Sequence, residues 1–278
     1  MSGRSPSRRA GGARTERDVR RRILSQNFLR EPGADRYLEL LSVDPALPCV
    51  EVGAGSGVLT VRLADRCSQL LAYEVDPQLG EQLATRLQGR PGVRVIVADF
   101  LSSPPPAKPF QVVGNVPFSL TSAIVDWCMR AEKMTTATII TQLEYAKKRT
   151  GAYGRWSLLT VLSWPEFSWE LRGSIERTQF RPVPRVDAGV LHLARRKTPL
   201  VPPKRLAAYR RMVELGFSGV GGTLYSSLRR GYPGGLVADA FRSAGLDRSV
   251  VVAFVSPDQW LQIFAVLDAA RRATPKRP

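Results

Sequence analysis

The chain has 278 residues, of which 44% are hydrophobic, so it can bury one large α/β core and a smaller appendage. Lysine and arginine number 41 against 24 acidic residues, and the formal charge of +17 predicts an extended anionic partner. Nucleic acid is the first candidate and a membrane surface is the second. No apolar run approaches the ~18–20 residues of a spanning helix, so we expect a soluble protein with no membrane partner.

The cysteines and the single histidine give no metal-binding pattern. Cys49, Cys67 and Cys128 are widely separated, form no C-x-x-C pair, and have only His192 as a histidine partner. We therefore expect no metal. Free cysteines are commonly small buried hydrophobes in a reducing compartment, which favours the cytoplasm.

Residues 1–22 carry eight arginines and almost no large apolar side chain. Folding such a segment could not repay the entropy of ordering it, so we predict a disordered basic arm. The arm either contacts RNA or acts as a solubilising tail. It lacks the apolar stretch of a secretory signal, and an amphipathic mitochondrial presequence would have little to bury before Ile23.

Short β-rich runs alternate with helical patterns from Cys49 onward. The predicted strands are Cys49–Val52, Leu70–Val75, Val93–Ala98, Phe110–Val113 and Thr136–Thr141. The predicted helices between them are Leu59–Arg66, Leu79–Gln88 and Thr121–Arg130. This alternation predicts a parallel sheet with right-handed crossovers. Two later β-like runs, Glu166–Arg172 and Gly189–Leu193, suit an antiparallel pair at one edge of the sheet.

The pattern changes after about Thr198, where Pro202 and Pro203 interrupt the chain. Helical spacing follows over Lys204–Phe217, Tyr225–Arg230, Leu236–Ala244 and Gln259–Arg272, with Gly231–Gly235 as a breaker. We therefore predict an α/β domain over residues 23–198 and a small helical C-terminal domain with a basic tail over residues 199–278.

A glycine-rich turn and an acidic residue predict a nucleoside site. Gly53 and Gly55 belong to a G-x-G-x-G turn between a predicted strand and a helix, where glycine permits a tight turn and close approach of a ligand. The turn alone fits any α/β protein, because its spacing differs from the dinucleotide motif. Glu74 lies 21 positions after Gly53 at a strand end, where its carboxylate can accept hydrogen bonds from both ribose hydroxyls.

Two more carboxylates follow strands. Asp99 can accept from an adenine amino group while Phe100 covers a ring face, and Asp76 is expected to cap the helix that follows Pro77. Each carboxylate alone also fits a helix cap or a solvated loop. Three of them in register at strand ends favour the nucleoside site.

The segment Asn115–Phe118 directly follows the fourth predicted strand, at the edge where α/β proteins bind ligands. An adenine amino nitrogen is a poor nucleophile because its lone pair is delocalised into the ring. The Asn115 side-chain oxygen and the Val116 carbonyl can each accept one of its protons and turn the lone pair toward a methyl donor. Phe118 can stack on the base. The alternative is a simple proline-containing turn.

These motifs resemble the rRNA adenine N6-methyltransferase family, which includes the macrolide-resistance (Erm-type) enzymes and the small-subunit rRNA dimethyltransferases. The resemblance covers roughly residues 24–272. The shared elements, in order, are Gln26-Asn27-Phe28, the glycine-rich turn, the acidic ribose binder, the Ala-Asp pair and the Asn-x-Pro-aromatic motif, followed by the proline-rich segment Phe180–Ala188. Val116 departs from the more usual Ile or Leu but contributes mainly its backbone carbonyl.

The resemblance implies a Rossmann-like methyltransferase fold with a seven-stranded sheet and a small helical C-terminal domain. It implies S-adenosyl-L-methionine as donor, S-adenosyl-L-homocysteine as product, and catalytic roles for Asn115 and Phe118. The implied donor-binding residues are Gln26, Asn27, Phe28, Gly53, Gly55, Glu74, Asp99, Phe100 and Asn115. The expected partner is large-subunit rRNA before full assembly, bound by a monomer.

Within the family, the arginine arm, Phe118, Gly154–Ser157 and Gly219–Gly222 look more like the resistance enzymes of high-GC actinobacteria. We therefore expect mono- or dimethylation of an adenine in 23S rRNA, which confers macrolide-type resistance. Three basic clusters are expected to contribute together to RNA binding, namely Lys147–Arg149, Arg195–Lys197 and Arg229–Arg230. Any one of them alone also fits a solvated surface. The alternatives are a small-subunit dimethyltransferase, a non-catalytic RNA-binding relative, and a nicotinamide-dependent oxidoreductase.

Overall fold

The computed structural model describes residues 27–219 and 222–273, and it centres on one seven-stranded sheet. Its strands are β2 (Cys49–Val52), β3 (Leu70–Glu74), β4 (Val93–Val97), β5 (Phe110–Asn115), β6 (Met134–Gln142), β7 (Phe167–Ile175) and β9 (Ala188–Arg195). The strand order is β4-β3-β2-β5-β6-β9-β7. The first five strands are parallel, and β9 runs antiparallel to both β6 and β7.

A second, two-stranded ladder joins distant parts of the chain. It pairs β1 (Phe28–Leu29) with β8 (Phe180–Arg181) in antiparallel register, with Phe28 opposite Arg181. Arg30 extends the pairing through its N–H, which donates to the Gln179 carbonyl at 2.8 Å. This ladder fixes the start of the described chain against the segment that precedes β9.

Helices cover both faces of the large sheet. The first six are α1 (Glu31–Leu40), α2 (Val58–Leu63), α3 (Pro77–Arg86), α4 (Thr121–Arg130), α5 (Leu143–Thr150) and α6 (Leu158–Ser163). Successive strand residues point to opposite faces, so Val112 packs with α4 in one core while Val113 packs with α1 and α2 in the other. Trp127 and Tyr37 are large side chains of these two cores.

The sequence-based prediction of fold class is confirmed. The strand Cys49–Val52 and the helix Thr121–Arg130 have the predicted bounds, and the other predicted elements of the α/β part shift by a few residues at their ends. The two later β-like runs do form an antiparallel pair, with β7 at the sheet edge and β9 beside it. Asp76 caps α3 as expected, since Oδ1 accepts the Gln78 N–H at 2.9 Å.

The C-terminal part is helical and contains its own core. Its helices are α7 (Pro203–Phe217), α8 (Leu224–Leu228), α9 (Gly234–Ser243) and α10 (Pro257–Ala273). Trp260, Tyr209 and Phe241 are buried at its centre. Helix α6 contributes Val161 to the same core, and the Tyr209 hydroxyl donates to the Val161 carbonyl at 3.0 Å. The C-terminal core therefore includes an element that precedes β7 in the chain.

The arm predicted over residues 1–22 lies outside the described residues. Within the described ranges, no helix is long and apolar enough to cross a membrane. In the same part of the chain, no group of three or more His, Cys, Asp or Glu side chains could hold a metal ion.

Candidate active site

The carboxyl ends of β2, β3 and β5 meet at one edge of the sheet and bring three polar side chains together. Glu51 lies near the end of β2, and Glu74 and Asn115 are the last residues of β3 and β5. A cavity of about 320 Å³ opens there. Its walls comprise Asn27, Phe28, Leu29, Glu51, Gly53, Ala54, Gly55, Ser56, Val58, Leu59, Glu74, Val75, Asn115, Val116, Pro117, Ser119 and Leu120.

Glu74 is held by the backbone on both of its carboxylate oxygens. Oε2 accepts the Gly55 N–H at 2.7 Å, and Oε1 accepts the Asp76 N–H at 2.9 Å. The side chain is only 2% exposed, and burial raises the pKa of this carboxyl. Gly55 reaches Glu74 with φ at +58°, a conformation that other residues rarely adopt. The carboxylate is thus fixed at the cavity wall with lone pairs left over for a ligand.

Glu51 is a cavity residue that the sequence analysis quoted as part of the glycine-rich motif but did not assign. It is 1% exposed, and no donor among the described residues reaches its Oε2. Burial raises its pKa to about 7, with the Glu74 carboxylate adding to the rise and the Thr60 hydroxyl opposing it. A buried carboxylate oxygen without a donor is costly, so a donor or cation in the cavity would relieve it.

Asn115 is oriented by the N-terminal segment. Its Nδ2 donates to the carbonyl oxygen of Asn27 at 2.7 Å. A carbonyl can only accept, so the amide nitrogen must face Asn27, and Oδ1 becomes the atom that can accept a hydrogen bond from a ligand. Val116 follows with 2% exposure and lines the cavity. Asn115 and the Val116 backbone thus lie together as the sequence predicts, while their catalytic roles stay predictions.

Phe118 lies outside the cavity wall. Its half-buried ring meets the Phe180 ring edge to face, with centroids 6.5 Å apart. It packs against the core cluster that contains Leu29 and Val113. Stacking of Phe118 on a base stays a prediction, and it requires either the exposed part of the ring or a change of rotamer.

Phe100 does not line the cavity, so its predicted contact with a ligand ring stays a prediction. Phe100 is 5% exposed, its ring lies 4.2 Å from the Trp127 ring centroid, and it meets Tyr73 edge to face. It is a core side chain rather than a wall of the cavity, because these aromatic neighbours bury its large apolar area.

Asp99 caps the 3-10 helix Phe100–Ser102. Its Oδ1 accepts the Leu101 N–H at 2.9 Å, and its Oδ2 accepts the Ser102 hydroxyl at 2.9 Å. This is the capping alternative of the sequence analysis, although the exposed carboxylate retains lone pairs for an adenine amine.

The remaining donor-binding candidates are placed as follows. Asn27 and Phe28 line the cavity, and the Phe28 ring covers Gly55, while Gln26 lies outside the described residues. Gly53 lines the cavity with φ at +73°.

Some of the basic side chains predicted to contact RNA make hydrogen bonds or ring contacts within the protein. The Arg195 guanidinium donates to the Met134, Met129 and Ala131 carbonyls at 3.0 to 3.1 Å. Arg149 lies over the Tyr145 ring and donates to the Ser157 hydroxyl at 2.8 Å. Arg229 and Arg230 are exposed. The clusters therefore contribute unequally to the accessible charge.

The central sheet has a glycine turn after β2, a backbone-held carboxylate at the end of β3 and the Asn-Val-Pro-Phe segment at the end of β5. This combination defines a Rossmann-like methyltransferase. The model of one such family, ribosomal RNA adenine dimethylase, matches residues 17–269, so the chain belongs to this family. The family membership predicted from the motifs is confirmed.

Similar proteins agree with this assignment. The chain is 54% identical over 254 residues to an rRNA adenine N-6-methyltransferase from Streptomyces fradiae, covering 90% of this chain and 80% of the relative. It is 32% identical over 245 residues to the mycinamicin-resistance protein MyrB of Micromonospora griseorubida, covering 88% and 78%. The crystal structure of the 23S rRNA methyltransferase ErmE superposes with a TM-score of 0.83 at 49% identity, covering 87% of this chain and all of that one.

Gly114→Ala should displace the turn that carries Asn115. Gly114 has φ at +142°, and a Cβ there would lie 2.6 Å from the Val52 carbonyl oxygen, so the backbone must shift. We expect a free energy of unfolding lower by about 2–4 kcal/mol, measured by urea denaturation.

Gly154→Ala is the matched control for this variant. Gly154 also has a positive φ, at +65°, but a Cβ there meets nothing within 4 Å. Its free energy of unfolding should fall by only about 1 kcal/mol, the cost of the left-handed conformation alone. Equal losses for the two variants would show that the close approach to Val52 is relieved without cost.

Proposed function

We propose that this chain is an S-adenosyl-L-methionine-dependent enzyme that methylates N6 of an adenine in 23S rRNA and thereby confers resistance to macrolide-type drugs. The placement of Asn115 carries the proposal, because Asn115 and Val116 both line the cavity and the Asn115 amide nitrogen is engaged by the Asn27 carbonyl, which leaves Oδ1 as the acceptor. The names of the resistance protein and of the 23S rRNA methyltransferase that resemble this chain support the target and its biological role.

The cavity suits a cationic nucleoside donor. Glu74 is placed to accept from ribose hydroxyls, since both its oxygens are fixed at the wall by backbone N–H groups. The unpartnered Glu51 oxygen offers a negative charge to a cation in the same space. When bound, S-adenosyl-L-methionine supplies an electrophilic methyl group on a sulfonium.

The chain's own part in the reaction is to prepare the adenine amine. The Asn115 Oδ1 and the Val116 carbonyl each hold one amine proton, which localises the nitrogen lone pair and aims it at the cavity. After transfer the nitrogen is strongly acidic and loses a proton to water, so the reaction needs no general base. Phe118 supports the extruded base by stacking, which offsets part of the cost of unstacking it from the RNA.

The charge distribution suits the two substrates. The formal charge of +17 favours binding of the RNA backbone, while the donor cavity contains two buried carboxyls. We propose the cytoplasm as the compartment, and a monomer that acts on rRNA before assembly of the large subunit is complete.

Asn115→Ala should slow methyl transfer by ~10²–10³-fold in single-turnover assays with rRNA, because one of the two acceptors for the amine protons is lost. Donor affinity, measured by calorimetry, should stay within about 3-fold of the wild type. A near-normal transfer rate would contradict the role assigned to Asn115.

The pH dependence of donor binding should reveal Glu51. With a pKa of about 7 in the ligand-free protein, its charged fraction rises from roughly a tenth at pH 6 to roughly three quarters at pH 7.5. If the carboxylate binds the cationic donor, the donor dissociation constant should fall roughly 8-fold over this range. Calorimetric titrations at the two pH values measure the change.

Glu51→Gln is the control for that experiment. The variant should bind the donor more weakly and lose most of the pH dependence, to which Glu74, whose pKa burial also raises, can contribute the smaller part. In the absence of donor, Glu51 affects the stability of the protein in the opposite direction. The folded protein keeps the Glu51 proton up to pH about 7, so the free energy of unfolding of the wild type falls as pH rises from about 4.5 to about 7. Glu51→Gln should lack this fall. A pH-independent wild-type constant would show that Glu51 does not bind the cation.

Expression in a macrolide-sensitive host should raise the inhibitory concentrations of macrolides and lincosamides. Methyl groups on the adenine amine remove a hydrogen bond and clash with the drug, and a few kcal/mol change affinity by orders of magnitude. Primer extension on the rRNA should stop at one large-subunit adenine, because dimethylation blocks its pairing edge. Asn115→Ala should give neither effect. Unchanged drug sensitivity with a stop in small-subunit rRNA would instead support the ribosome-biogenesis alternative.

A further inference from the structure

The hydroxyl of Tyr37 contacts the backbone of Gly114, the residue that immediately precedes Asn115. Tyr37 belongs to α1 and is fully buried. Its hydroxyl donates to the Thr138 carbonyl at 2.6 Å and accepts the Gly114 N–H at 3.2 Å. Burial raises the pKa of Tyr37 above its usual value, so the phenol keeps the proton that it donates.

This hydroxyl bonds to two groups that are already partners in the sheet. Gly114 lies opposite Ile139 in the parallel ladder of β5 and β6, and in that register its N–H donates to the Thr138 carbonyl. The Tyr37 hydroxyl contacts the same N–H and the same carbonyl. The two strands are therefore held by a side chain from α1 at the residue that immediately precedes Asn115.

We propose that Tyr37 is a positioning residue for methyl transfer, which sets the backbone before Asn115 while the Asn27 carbonyl sets the Asn115 side chain. The inference rests on the proposed function. Both anchors come from residues 27–37, so one short N-terminal segment holds the reactive amide by its main chain and its side chain. Tyr37 contacts neither substrate and acts only through Asn115.

Removal of the hydroxyl takes one hydrogen-bond partner from each of two buried backbone groups and leaves a gap beside the β5–β6 ladder. The Gly114 N–H and the Thr138 carbonyl keep only their bond to each other, so the peptide before Asn115 is held less firmly. A misplacement of about 1 Å at a reacting group costs up to ~10²-fold in rate.

The test uses Tyr37→Phe in the full chain, with S-adenosyl-L-methionine and rRNA as substrates. We expect the single-turnover rate to fall ~10- to 100-fold, while the donor dissociation constant stays within about 3-fold. Tyr209→Phe is the matched control, because Tyr209 is also fully buried and its hydroxyl donates to the Val161 carbonyl. This control should lower the melting temperature without lowering the transfer rate.

A double-mutant cycle separates positioning from general structural support. If Tyr37 acts through Asn115, Tyr37→Phe should slow the Asn115→Ala enzyme by less than about 3-fold, far less than it slows the wild type. An equal slowing in both backgrounds, or a wild-type rate for Tyr37→Phe alone, overturns the inference.

A second variant covers the case in which Tyr37→Phe does not fold. Incorporation of 3-fluorotyrosine at position 37 keeps a hydroxyl that accepts the Gly114 N–H less well, and we expect a smaller fall in rate with unchanged donor affinity. An unchanged rate with this variant overturns the inference. If the wild type transfers no methyl group to RNA, the proposed function fails instead.

Discussion

The site depends on the hydrogen bond from the Asn115 amide to the Asn27 carbonyl. Asn115 ends a central strand, whereas Asn27 lies at the start of the described chain, so this 2.7 Å contact ties the Asn115–Phe118 turn to a distant segment. The segment is itself fixed by the small ladder that pairs Phe28 with Arg181. The Phe28 ring then covers the Gly55 turn. The cavity wall at Phe28, the Asn115 amide and the segment at Arg181 are therefore all connected through residues 27–29.

A second constraint is the acidity of the cavity in a strongly basic protein. Glu51 and Glu74 are buried near each other, and each is harder to ionise than an exposed carboxyl. The cost of holding them there would be offset by a cation in the cavity. The two buried carboxyls thus make the cavity acidic in a chain whose formal charge is +17.

Much of the architecture could be predicted from the sequence, because strand and helix periodicities and the order of motifs are local signals. Strand Cys49–Val52 and helix α4 show this, as does the edge position of Glu74 and Asn115. Phe100 could not be placed, since the choice between a ligand face and a core face depends on Trp127, which lies on another element. Asp99 shows the same limit, because an acidic residue after a strand fits a cap and a ligand contact equally well.

Glu51 and Tyr37 differ in how far the sequence alone could have identified them. Glu51 had a visible signal, an acidic residue inside an apolar strand next to a glycine turn, which only a partnered or functional carboxyl would occupy. Tyr37 had none, because a tyrosine in a helix is usually a packing residue. Its contact with Gly114 joins positions 77 residues apart. Only the folded structure shows that its hydroxyl reaches the β5–β6 ladder.

Because α6 packs in the C-terminal core, the α/β part and the C-terminal helices should unfold together. Val161 packs among Tyr209, Trp260 and their neighbours, and the backbone of Trp156 bonds to Ala253 at 2.7 Å. Melting the C-terminal helices would strip these contacts from a helix that leads directly into β7. Heat should therefore disrupt the two parts in one calorimetric transition, and a gene fragment that ends near codon 198 would encode a chain with an uncovered apolar face.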